Sequence, residues 1–530
     1  MACSDPAIIW PAPGFPAFLE PHDRCLDLLV ASRNPEGDTL RGWARQIALR
    51  DPAGKITIPL TLEEHVPATA REIAERAAQF AALPGAKGLC FSRVRLRVPQ
   101  PLAAENARAV RVFDLSAGGV VLRSRAVAAF PRRETTLNLA FASDLHVAQL
   151  WDELAAAVDR HAPGTGAALV NPHRLLERFI DEANALAARG DLDLIVLGGD
   201  LVDHVHAQPR EKCLAGAATN VHHLLAMLAK LDVPTLAIPG NHDYRVYPRR
   251  LRSSGLQAVG IPVEQSEPLL RRTGLWDAWP WCRRDIDALR ITDAAGMPGL
   301  SDYLTQVAPV TDYCCSVRVL RLLLLSSGCD VLAKWQEVEP ARWDLLLRGL
   351  HTARHQPDSE GFSEARLSQI RGWLREDRGS ALFFHAPLLA ARTDIRIQEC
   401  IPRLALEPQN SLAARVRFER RMQQAGFRCG VSFRNPGALI QELATTSGPV
   451  ATFSGHLHRA GAIEIDQSTM QVRSIDPSEA IARPHTITLL TAPAVGQLKP
   501  GEMQRPGYLL ARFADGALVS VQQRSLDPAS

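Results

Sequence analysis

The residues best equipped for chemistry fall in five short blocks. They are Asp144-Leu145-His146, Gly198-Gly199-Asp200-Leu201-Val202-Asp203, Pro239-Gly240-Asn241-His242-Asp243, His385 and Gly455-His456-Leu457-His458. Singly, each has an ordinary explanation. An Asp-x-His is expected roughly once by chance in a chain this long. A Gly-Gly-Asp serves many strand-to-loop turns with a capping Asp, and a lone His is more often a satisfied core histidine. The ordered set has no such explanation, because every member follows directly on a short apolar run. Asp144, His146, Asp200, Asn241, His385, His456 and His458 offer oxygen and nitrogen donors and no thiolate. That is too many for one tetrahedral zinc, and the mixture suits a pair of borderline divalent ions such as Mn, Fe, Co or Zn. Two ions ~3.5–4 Å apart clamp the attacking and leaving oxygens of an in-line displacement at phosphorus. Against the two dications stand Asp144, Asp200 and a bridging hydroxide, so the residual charge is positive and favours an anionic phosphate ester.

Five points so far apart in the chain need a scaffold that gathers them. The runs before the blocks are Thr136–Asp144, Leu192–Asp200, Pro234–Asn241, Ser380–His385 and Val450–His456. Near-continuous apolar runs of this length read as strands buried on both faces. Helical periods lie between them, as in His173–Arg189 and Ala217–Leu231. Alternating strands and helices imply a layered α/β domain, whose ligands gather beyond the carboxyl ends of the strands. The alternation of side chains along extended backbone predicts Asp144 and His146 on one side, and likewise His456 and His458.

Together the five blocks resemble the complete motif series of the calcineurin-like metallophosphoesterase superfamily, over roughly residues 136 to 460. The resemblance implies a four-layer α/β/β/α sandwich with a dinuclear metal centre above the strand ends. It implies Asp144, His146 and His458 on one metal, Asn241, His385 and His456 on the other, and Asp200 bridging. It also implies hydrolysis of a phosphate mono- or diester, with His242 acting as a catalytic residue near the leaving group, steadied by Asp203. Two departures narrow the choice. The Tyr ligand that purple acid phosphatases carry shortly after the bridging Asp is missing from Gly199-Asp200-Leu201-Val202-Asp203. The Arg that Ser/Thr protein phosphatases place after the second Asp is His204 here. His204 is the candidate substrate contact, set against an exposed loop histidine.

The remaining sequence bounds the partners. An apolar fraction of 46% with 22% charged residues excludes wholesale disorder. Sixty basic against 57 acidic residues leave a net charge of +3, with no push toward nucleic acid or anionic membrane. Residues 1–16 lack the pattern of a signal peptide, and the greasiest stretch, Val317 to Leu325, is broken by Arg318 and Arg321, so no membrane span is expected. The ten cysteines follow no framework spacing, which places the chain in a reducing, cytoplasmic setting. The expected partner is a small phosphoester. The alternatives are a nuclease of the same superfamily and a non-catalytic metal-binding scaffold.

Residues 1–133 read differently. Trp43–Leu49, Lys55–Leu60, Leu89–Val98, Ala109–Leu115 and Val120–Phe130 alternate like half-exposed strands, with one helix over Ala70–Leu83. The expectation is a β-rich accessory domain followed by a metallophosphoesterase domain over 134–530. Insertions are expected at about 244–318 and 390–446. The first carries Trp276, Trp279 and Trp281 between arginines, as a substrate cap or a satellite apolar cluster; the second carries an amphipathic helix at Ser411–Phe427. Strand-like runs return from Met470 to Ser525.

Overall fold

The computed structural model describes residues 6–34, 38–99, 102, 109–131, 135–147, 171–202, 220–244, 302–327, 362, 364–374, 379–391, 427–429, 436–446, 448–469, 471–496 and 505–526. Two mixed sheets form its centre. The first, in spatial order, is Thr235–Ile238, Leu194–Gly198, Thr136–Ala142, Gly507–Ala514 and Ala517–Ser525. Its first three strands run parallel and the last two antiparallel. The second is Tyr313–Val317, Leu320–Leu325, Ser380–Phe384, Val450–Ser454, Thr486–Thr491, Gly461–Asp466 and Val472–Ile475. Four of its strands, from Leu320–Leu325 through Thr486–Thr491, are parallel.

The sheets pack face to face over an aromatic seam. Phe383 and Phe453 stack at 5.1 Å, and Phe141 meets them at 5.8 and 5.6 Å. Alternation along single strands shows why the apolar runs are unbroken. Leu322, Leu324, Ala381 and Phe383 belong to the inner core, whereas Leu323, Leu325, Leu382 and Phe384 join a second core on the outer face. That outer core is closed by the helices Glu364–Leu374 and Pro436–Ala444, through Leu367, Ile370, Leu439 and Ile440. On the far side the helix Pro172–Arg189 buries Leu175, Leu176, Phe179, Ile180 and Ala183. Asn171 caps its start by accepting the His173 N–H at 2.8 Å, and Gly190 ends it at φ +77°, a conformation costly for any residue with a Cβ. The layers are therefore α/β/β/α.

The N-terminal region is β-rich. One sheet runs Ala7–Trp10, Cys25–Ser32, Cys90–Arg97 and Thr61–Pro67; the other runs Ala17–Leu19, Val120–Ala129, Arg111–Ala117, Ile47–Arg50 and Thr57–Pro59. Two local expectations change. Trp43 closes the helix Asp38–Ala44 and starts no strand, and Ala70–Leu83 breaks into Ala70–Arg76 and Ala78–Ala81. Gly14 ties this region to the first sheet: its N–H donates to Val307 and its carbonyl accepts from Ala237, at 2.8 and 2.9 Å. Among the described residues no helix is long and apolar enough to cross a membrane.

Candidate metal centre

The five blocks leave the carboxyl ends of five parallel strands, three in the first sheet and two in the second. The loops are zipped together by backbone. Asp144 N–H donates to Gly199 and His146 N–H to Asp200, at 2.9 and 3.0 Å, while Gly455 N–H donates to His385 at 2.9 Å. Asp144 and His146 do not reach one side by extended alternation. Both have positive φ, +57° and +50°, as do Asp200, His456 and His458. Among the described residues nine non-glycine positions have positive φ, and five of them are candidate ligands. Strain of order 1–3 kcal/mol at each is concentrated where side chains must converge. Gly455 has a different reason: a side chain there would collide with Ser143 and the Asp144 carboxylate.

Three clusters of converging donors result: Asp144, His146 and His458; His146, Asp200 and His242; Asp200, His385 and His456. In each, the donor atoms lie within 4.8 Å of one another. His458 Nε2 is 3.1 Å from Asp144 Oδ1, and His385 Nε2 is 3.2 Å from Asp200 Oδ2. His456 joins the halves: its N–H donates to Asp144 Oδ2 at 2.9 Å, and its Nδ1 is 3.2 Å from His385 Nε2. His242 is half-buried, its N–H donating to Asp200 Oδ1 at 2.8 Å and its Nε2 3.8 Å from Asp200 Oδ2. Asn241 opens the short helix Asn241–Tyr244 beside it. The Asn241 side chain, Asp203, His204, the Trp276–Trp281 cluster and nearly all of Ser411–Phe427 lie outside the described residues.

Burial alone would raise both aspartates. For Asp144 the charge and hydrogen bond of His458, helped by His385, overcome it and hold the carboxyl well below the usual range. For Asp200 the charges of His385, His242 and His146 do the same. Both carboxylates are thus ionised, although each is almost wholly buried.

His385 decides what the pocket wants. Its Nδ1 lies 2.9 Å from the Gly198 carbonyl, which only accepts, so Nδ1 carries the proton. Nε2 lies 3.2 Å from the Asp200 carboxylate and 3.2 Å from His456 Nδ1, so it faces Asp200 either with a second proton, as an imidazolium in an ion pair, or with a lone pair turned to a bound cation. A divalent cation between the two groups would take the place of that proton. The set of imidazole nitrogens and carboxylate oxygens fits a borderline divalent metal, and the Gly198 carbonyl is the outer partner that orients such a ligand.

A sequence profile of the calcineurin-like phosphoesterases matches residues 137–384. Over that segment, just under half of its length, the chain is similar to the calcineurin-like phosphoesterases. The phosphoesterase match ends one residue before His385, so His385, His456 and His458 reach the site through the fold. No curated protein matches the chain. Solved structures similar to it include PhoD, at 10% identity over 96% of this chain and 89% of that one, with a TM-score of 0.38. GAP50, the anchor in the inner membrane complex of Plasmodium, aligns at 10% identity over 75% and 87%, TM-score 0.30. A metallophosphoesterase from Sphaerobacter thermophilus aligns at 13% over 73% and 87%, TM-score 0.23. Scores this low carry no weight for function.

One residue of the third block has a place in the site that the sequence alone does not assign. Asp243 is buried behind Asp200, its Oδ1 accepting the Val202 N–H at 2.9 Å and its Oδ2 the Gly240 N–H at 2.6 Å. Burial and the Asp200 charge push its carboxyl up to about 7, against hydrogen bonds from the Gly240, Val202 and Leu201 backbone. Its place beside Asn241 and His242 was the available signal, but nothing in the sequence shows which way it points.

Proposed function

We propose that this protein is a metal-dependent phosphoester hydrolase working through a dinuclear centre, on a small mono- or diester. The observation that carries the reading is the buried face-to-face placement of His385 Nε2 and Asp200 Oδ2, with Asp144, His146, His456 and His458 converging beside them. Asp144, His146 and His458 would hold one divalent ion, and His385 and His456, with Asn241, the other, Asp200 serving both. Such a pair supplies Lewis-acid stabilisation and an activated water for in-line attack at phosphorus. The chain's own contribution is placement. The strained loops hold six buried or nearly buried donors before substrate arrives, so little reorganisation is left for the reaction. His242, with 17% of its side chain exposed beside Asp200, is read as the group that gives a proton to the leaving oxygen.

The test is metal reconstitution. Protein stripped with chelator regains hydrolysis of a nitrophenyl mono- or diester on adding Mn(II) or a similar ion, and binds about two ions per chain. Asp200→Asn keeps the native circular dichroism but loses activity by roughly 10³-fold or more. Stoichiometric metal without hydrolysis of any phosphoester would favour the scaffold instead.

A further inference from the structure

A cavity of about 780 Å³ lies where the N-terminal sheets meet the edge strand Tyr313–Val317, and none of the candidate metal ligands lines it. Its size falls within the range of small-molecule sites, ~300–1,000 Å³. The charged groups on its walls are nearly all satisfied. Asp27 pairs with Arg95 at 2.8 Å, Glu75 with Arg71 at 2.7 Å and Asp312 with Arg366 at 3.0 Å. Asp23 accepts the Glu20 N–H at 2.7 Å, and Arg321 donates to the Trp373 carbonyl. Arg76 differs. Its guanidinium lies over the Trp10 ring, 4.0 Å from the centroid, and has no hydrogen bond or ion pair among the described residues. Burial lowers its pKa from the ordinary value, against the pull of Asp27, Glu72 and Glu75. On the same wall Trp10 Nε1 is buried and makes no hydrogen bond. Arg76 therefore brings to the cleft a guanidinium that makes no hydrogen bond of its own among the described residues, and such a fork suits a two-oxygen anion.

We propose that this cleft binds a small organic anion, its phosphate or carboxylate head on Arg76 and its apolar body against Trp10 and Trp373. The ligand would bridge the N-terminal region and the edge of the second sheet, and so stabilise their union by mass action. Metal-free full-length protein gives the cleanest test, since it leaves the anion no metal centre to occupy. It is titrated with 8-anilinonaphthalene-1-sulfonate and with the uncharged N-phenyl-1-naphthylamine, which separates charge recognition from general apolar binding. One sulfonate binds per chain, about ten-fold or more tighter than the amine, and phenylphosphonate or benzoate displaces it. Arg76→Met abolishes the preference, whereas Arg71→Met, at the paired arginine of the same cavity, leaves it. Equal affinity for the two probes, or sulfonate binding that survives Arg76→Met, overturns the proposal. Should Arg76→Met fail to fold, the wild-type ratio decides alone.

Discussion

His385 and Asp200 face each other because the backbone commits both. The Gly198 carbonyl holds the imidazole by Nδ1, and Asp200 sits at φ +50° on a loop zipped to Asp144 and His146. Asp243 is the anchor beneath them. Asp243→Ala leaves the Val202 and Gly240 N–H groups buried without acceptors, which costs about 1–3 kcal/mol for each. Those groups belong to the loops carrying Asp200 and His242, so metal affinity should also fall about 10–100-fold. Melting temperature and metal titration measure the two effects separately, and a variant that keeps wild-type affinity removes Asp243 from the site. At His242 the question is proton transfer. For His242→Asn, a general acid loses roughly 10²–10⁴-fold on an alkyl ester and far less on a nitrophenyl ester, whose oxygen leaves unprotonated. Equal losses on the two substrates would show that His242 binds phosphate or supports its loop.

Among the elements, the hairpin joining Gly461–Asp466 to Val472–Ile475 shows a turn held by one carboxylate. Asp466 Oδ1 accepts from the Ser468 and Thr469 N–H groups at 3.0 and 2.8 Å, and from both hydroxyls at 2.7 and 2.9 Å. Those hydrogen bonds, with the Ser468 hydroxyl first, lower its pKa to about 2. A depressed acid contributes stability that is present above its unfolded pKa and lost as pH falls through the folded one. The Asp466 share is therefore complete above pH ~4 and gone below pH ~2. The site is exposed, so Asp466→Ala should cost only about 0.5–1 kcal/mol at neutral pH and markedly less as pH falls to about 2, measured by denaturant unfolding. The sequence made such elements legible to different degrees. Leu194–Gly198 and Ser380–Phe384 stood out because burial on both faces leaves no polar interruption. Thr61–Pro67 did not, since Thr-Leu-Glu-Glu-His-Val-Pro is half-exposed on both faces and held by ion pairs such as Arg97–Glu63 and Arg93–Glu64. Ligand types were readable at Asp144, His146, His456 and His458. Their left-handed backbone was not, because it follows from loop-to-loop hydrogen bonds between segments distant in sequence.

At the scale of the whole chain the question is whether residues 1–133 are a separable domain. The packing argues for union. Phe15 is buried and stacks on Tyr313 at 4.0 Å, and the Tyr313 hydroxyl donates to the Gly14 and Ala237 carbonyls, each at 2.9 Å. Ala7, Ile9, Phe80 and Phe130 share one core with Leu139, Leu236 and Tyr508. The Gly14 carbonyl also accepts the Ala237 N–H of Thr235–Ile238, the outer strand of the first sheet, and so occupies one position of its open edge. A shared core unfolds cooperatively, so calorimetry should show one transition spanning both regions. Phe15→Ala removes a buried ring at the junction, costs about 3–5 kcal/mol, and should lower that single transition as a whole. Turnover of a nitrophenyl ester by the folded, metal-loaded variant should stay within about two-fold of wild type, because no N-terminal residue belongs to the donor clusters. Two transitions, with only the lower one moved by Phe15→Ala, would mean independent domains that merely touch. A large loss of turnover at full metal occupancy would instead make the N-terminal region part of the active site.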